Sequence, residues 1–119
     1  MKPNIVARGF ENAQLLRDYV SHRLGFALGR TGRDLLAVSV RLEDVNGPRG
    51  GSDKRCSIEL AIPGRPSVFV RALHRSIHAA IDIAAHRAEQ ALARATARGR
   101  RLARESRKSF DAIAAPVAA

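Results

Sequence analysis

Few side chains in this chain stand at spacings that could do chemistry. Asp82 and His86 lie four residues apart, the separation that would let a carboxylate and an imidazole share a helix face as an acid–base pair. Such i, i+4 pairs are ordinarily surface salt links, and no nucleophile or oxyanion donor converges on this one. His74 and His78 have the same separation but no third ligand near them in sequence, so no metal site is expected. Cys56 lies in an alternating apolar run, which places the thiol in a core as an inert group. Gly47-Pro48-Arg49-Gly50-Gly51 is glycine-rich but is flanked by strand-like runs, not followed by a helix, so it reads as a mobile turn. The one pattern that stands out is basic. At 100° per residue Arg87, Arg94, Arg98 and Arg101 fall on one stripe, suited to binding phosphates.

That stripe belongs to a long helix beginning near Ser76. Ile77, Ile81, Ala84, Ala88, Leu92 and Ala95 form its apolar seam, the part that must face a core. The arginines lie about a quarter-turn to one side of the seam. Asp82 and Glu89 lie on the other side. Charges needed only for solubility would be interspersed; these are sorted.

Composition agrees with an anionic partner. The 119 residues carry a formal net charge of +10, and all but three of the 21 basic residues are arginine. Arginine binds phosphate through a planar fork and stacks on bases, which favours RNA or DNA. Residues 1–60 hold ten basic against seven acidic side chains, and residues 61–119 eleven against four. One cysteine excludes an internal disulfide and fits a reducing compartment. No signal-peptide pattern opens the chain and no apolar run approaches a membrane span, so a soluble cytoplasmic protein is expected.

The remaining elements must hold this helix in place. Asn4–Arg8 is a short β-prone run closed by Gly9. Asn12 is positioned to cap a helix to about Leu28, with Leu15, Leu16, Tyr19, Val20 and Ala27 on its apolar arc and Gly29 and Gly32 ending it. Arg23 sits inside that arc with its head expected to snorkel outward. Leu36–Leu42 and Cys56–Ile62 alternate as half-buried strands, and Pro63-Gly64 turns into a fourth strand over Val68–Ala72. Val38, Val40 and Leu42 match Cys56, Ile58, Leu60 and Ile62 as inward faces. The order β-α-β-β-β-α implies an α+β two-layer sandwich. It has a four-stranded sheet whose last three strands form an antiparallel meander, with both helices packed on one face. Residues 1–98 form the folded domain, and residues 99–119, basic and then alanine-rich, read as a flexible tail.

This order, with particular residues, resembles the ribosome hibernation promoting factor family, also called protein Y, ribosome-associated inhibitor or sigma-54 modulation protein, in its short form. The residues are Leu16-Arg17-Asp18-Tyr19-Val20, Arg23-Leu24-Gly25, Val70-Arg71-Ala72-Leu73-His74, Ala79-Ala80-Ile81-Asp82 and Arg87-Ala88-Glu89-Gln90-Ala91-Leu92, over roughly residues 4–98. The resemblance implies a protein that binds small-subunit rRNA at the subunit interface and blocks the mRNA/tRNA channel. By position it also implies Arg23, Arg87, Arg94 and Arg98 as rRNA contacts, to which the helical stripe adds Arg101. The chain departs from the family at Arg75-Ser76-Ile77-His78, where Glu-Asp-Met-Tyr is common, and at Gln90. No enzyme activity, cofactor, metal, small-molecule substrate or membrane is expected. A general RNA-binding or RNA chaperone module and a protein-binding adaptor remain as alternative readings of the same residues.

Overall fold

The structure, a computed structural model, describes residues 3–29, 35–45 and 54–118, with side chains described through residue 98 and at Arg104. Six elements follow one another: β1 (Asn4–Arg8), α1 (Ala13–Leu28), β2 (Ala37–Asp44), β3 (Lys54–Ala61), β4 (Val68–His74) and α2 (Ile77–Ala118). The strands form one sheet in the order β1-β2-β3-β4. The expected α+β architecture and element order hold. β1 pairs with β2 in parallel, so the chain between them must cross over, and α1 is that crossover. β2–β3 and β3–β4 are antiparallel, the meander that their short connections require.

Strand alternation divides the sheet into two unlike faces. Val38, Val40, Leu42, Cys56, Ile58, Leu60 and Ala72 are buried on the inner face, with Val40 opposite Ile58 and Leu42 opposite Cys56. Both helices cover this face. α1 contributes Leu16, Val20, Leu24, Ala27 and Leu28, and α2 contributes Ala80, Ile81, Ala84, Ala85, Ala88 and Leu92. The four alanines matter because a side chain of one carbon lets α2 sit close over the sheet. The expected inward strand residues are in place, except that Ile62 lies past the end of β3 and is only partly buried.

The buried stripe of α1 differs from the expected arc. Leu15 is exposed and Leu24 is fully buried, because the helix rests on positions 16, 20, 24 and 27/28. Asn12 precedes α1 without a side-chain cap; its carbonyl accepts from Leu16 N–H at 3.1 Å. Gly29 ends the helix in a right-handed conformation (φ −56°, ψ −34°). Gly32 and the Asn46–Asp53 loop lie outside the described residues.

Two glycines use the freedom that only they have. Gly9, at φ +82°, ends β1 where an added Cβ would sit 3.3 Å from Asp44 Cβ. Gly64, at φ +68°, follows Pro63 in the turn closed by Arg65 N–H to Ile62 C=O. α2 starts where the sequence places it. Ser76 caps it, its Oγ accepting from Ala79 N–H at 3.3 Å and its carbonyl from Ala80 N–H. Its backbone stays helical past Gly99 to Ala118. A single glycine costs a helix only about 1 kcal/mol relative to alanine, and strong helix formers flank this one.

Candidate nucleic-acid interface

The position of α2 decides where its charges go. With Ile81, Ala84, Ala88 and Leu92 turned to the sheet, one flank of the helix faces α1 and the other faces β4. Asp82 lies on the α1 flank and Arg87 on the β4 flank, which the hydrogen bonds of the two residues make explicit.

On the β4 flank, Arg87, Arg94 and Arg98 are exposed. A rise of 1.5 Å per residue spreads them over roughly 16 Å of helix. Arg87 Nη1 donates to the Arg71 carbonyl at 2.6 Å, which pins the guanidinium beside the edge strand and leaves its other N–H donors free for an oxyanion. Neither Arg94 nor Arg98 has a carboxylate partner among the described residues. Three of the expected contacts thus form a row without internal neutralisation. The fourth arginine of the stripe, Arg101, continues the helix, but its side chain lies outside those described.

Arg23 is held apart from this row. Its Nε lies 3.4 Å from Asp82 Oδ1, with the arginine 28% and the aspartate 46% exposed. The same carboxylate oxygen accepts from Tyr19 Oη at 2.7 Å. That hydrogen bond, reinforced by burial and by the aspartate charge, holds the Tyr19 phenol above its ordinary range, while Arg23 pulls the other way. His78 closes the group, its ring meeting Tyr19 edge-on at 4.8 Å. Asp82 therefore clasps α1 to α2 and does not pair with His86. His74 is occupied locally, its Nδ1 accepting from Ser76 N–H at 3.0 Å. No group of three metal-capable side chains occurs among the described residues. Cys56 is fully buried, and burial pushes its thiol up to about 12.

The uncovered face of the sheet carries polar groups that the helical stripe does not reveal. Arg8, Arg41, Arg55 and Arg71 point there with Glu43 and Glu59, at strand positions of one parity. Glu43 pairs with Arg55 and, at 3.6 Å, with Arg41. The Arg55 hydrogen bond, with further attraction from Arg41 and Arg8, holds the Glu43 carboxyl below the usual glutamate range against the effect of burial. Period-two alternation, extended from Val40/Ile58 to the residues between, is the sequence signal that would have found this face. Among the described residues no helix is long and apolar enough to cross a membrane.

Comparison with known proteins places this geometry among relatives. The family model described as sigma 54 modulation protein / S30EA ribosomal protein matches residues 4–100. The crystal structure of the Thermus thermophilus protein Y N-terminal domain superposes with a TM-score of 0.62 at 26% identity, covering 79% of this chain and 98% of that one. The structure of a ribosomal subunit interface protein from Coxiella burnetii superposes with a TM-score of 0.69, covering 82% and 99%. At 14% identity its likeness is one of fold. A search of curated proteins gave no significant match.

Proposed function

The chain belongs to the sigma 54 modulation protein / S30EA ribosomal protein family, a family of ribosome-associated proteins. On that premise we propose that it is a cytoplasmic translation inhibitor that binds small-subunit rRNA at the subunit interface. It then silences idle ribosomes by occupying the channel that mRNA and tRNA need. The observation that carries the proposal is the row of Arg87, Arg94 and Arg98, exposed along one flank of α2 with no carboxylate partner among the described residues.

The mechanism breaks and makes no covalent bond. Arginine side chains that neutralise phosphates release condensed counterions, and this release supplies most of the affinity. Folded RNA offers shape and phosphate more than readable base edges, which suits a rigid helix braced on a sheet. Arg23 joins the contact by exchanging Asp82 for a phosphate. Residues 1–98 act as the binding unit, and residues 99–119, with Arg100, Arg101, Arg104, Arg107 and Lys108, act as a basic arm that extends it. Inhibition is steric, so no catalytic group, cofactor or metal is needed.

Co-sedimentation tests the reading. The protein should pellet with isolated small subunits, much less with large subunits, and should be displaced by tRNA and mRNA. Equal retention by any structured RNA would instead make it a general RNA binder, and RNA-independent, salt-insensitive capture of a protein would make it an adaptor.

A further inference from the structure

We propose that Phe69 and Arg71, on the uncovered face of the sheet, form a stacking site for an unpaired RNA base. This proposal rests on the RNA-binding reading and extends it to a second surface. Phe69 is the aromatic residue that β4 turns outward, and the residue stays 56% exposed. A phenylalanine there gains little from the protein core. The Arg71 guanidinium lies 5.5 Å from the ring centroid, an arrangement that holds the ring and leaves a cation beside it. Exposed aromatics on a sheet surface, flanked by arginine, are what bases of single-stranded RNA stack upon.

The site is joined to the arginine row. Arg71 is the residue whose carbonyl accepts from Arg87, so basic surface runs from α2 around the edge strand to Phe69. The face itself is hollow. A depression of about 450 Å³ is lined by Asn4, Val6, Ser39, Arg41, Ser57 and Phe69, among others. Charge favours a polyanion over other occupants: Arg41, Arg55 and Arg71 line the depression against Glu43 and Glu59, Arg8 lies on the same face, and Glu43 is already engaged by Arg55 and Arg41. Glu59 is opposite Phe69 in register. As a carboxylate it can only accept, so it repels phosphate from the ring and welcomes base N–H groups. Phosphates then lie toward Arg71 and Arg41 while the base covers Phe69.

A short single-stranded RNA carrying 2-aminopurine, compared with the same sequence in a duplex, reads the stacking directly. The full-length protein should quench the single strand and not the duplex, and Phe69→Tyr should preserve the quenching. Phe69→Leu, which keeps an apolar group without a π face, should abolish it. This variant should also weaken single-strand binding by about five- to 150-fold, the range found for base-stacking aromatics. Its small-subunit binding should retain the wild-type salt slope, because the α2 row is untouched. Equal quenching and affinity for Phe69→Leu and wild type would overturn the stacking site and leave the arginine reading standing. A wild-type protein that binds neither subunits nor the oligonucleotide would overturn both. Self-association of the RNA-free protein that Phe69→Leu removes would assign the face to a second copy and overturn the proposal.

Discussion

Asp82→Asn should move stability and RNA affinity in opposite directions. Asp82 accepts the Tyr19 hydroxyl at 2.7 Å and lies 3.4 Å from Arg23. Hydrogen bonds to charged groups contribute about 1.5–3 kcal/mol and neutral ones about 0.5–1.5 kcal/mol. Asparagine can still accept from Tyr19, so that step loses about 1 kcal/mol, the difference at the lower ends of the two ranges, which suit a carboxylate nearly half exposed. The Arg23 pair adds roughly 0.2–1 kcal/mol, toward the lower end because the carboxylate is nearly half exposed. The combined loss is about 1 kcal/mol, or roughly 4–8 °C in Tm for a domain of this size. Binding should change the other way, because Arg23 no longer has to leave a carboxylate to reach a phosphate. The gain is bounded by what the pair was worth, at most about fivefold. The log–log salt slope should stay close to the wild-type value, because Arg23 reaches the same phosphate in both proteins and only the cost of leaving Asp82 is removed. Thermal melts and salt-titrated binding to small subunits measure the two effects on the same preparation. An unchanged Tm would refute the clasp. Lower stability together with unchanged or weaker binding would refute the competition between Asp82 and RNA.

Other consequences follow from single residues. Leu24→Ala, at a fully buried site between α1 and the sheet, should cost about 3 kcal/mol in urea unfolding; a loss below 1 kcal/mol would mean that the α1 stripe is placed wrongly. The Cys56 thiol, buried and pushed up to about 12, should react with a thiol reagent at pH 8 only as fast as the domain opens, and at full rate in denaturant. Glu43 titrates below its unfolded value, so its contribution to stability is complete above the unfolded glutamate range and disappears as pH falls through the lower folded value. Glu43→Gln should therefore flatten the acid limb of the stability–pH profile, and an unchanged limb would contradict the pairing with Arg55.

What could be read from the residues alone depended on how local the signal was. The inward faces of β2 and β3 follow from alternation, because a strand's period is fixed and Val38, Val40 and Leu42 keep to it. The seam of α2 and the arginine row beside it follow from a 3.6-residue period sustained over several turns. α1 was harder. Adjacent Leu15 and Leu16 fit two overlapping arcs, and only the sheet beneath shows that the helix rests on Leu16 and Leu24. The partner of Arg23 was beyond reach, because the Tyr19–Asp82–Arg23 group unites residues some 60 positions apart in the chain. Phe69 and Arg71 were visible as neighbours of one parity. Their link to Arg87 depends on α2 crossing β4, which no sequence period encodes.

The most direct test of the account is the salt dependence of small-subunit binding for Arg87→Ala/Arg94→Ala/Arg98→Ala. If the α2 row makes the phosphate contacts, the variant should stay folded, its Tm lowered only by loss of the exposed Arg87–Arg71 carbonyl hydrogen bond, and it should bind more weakly and lose about 2–3 units of log–log salt slope. Unchanged affinity and slope in a folded variant would contradict the claim that these three arginines hold the ribosome.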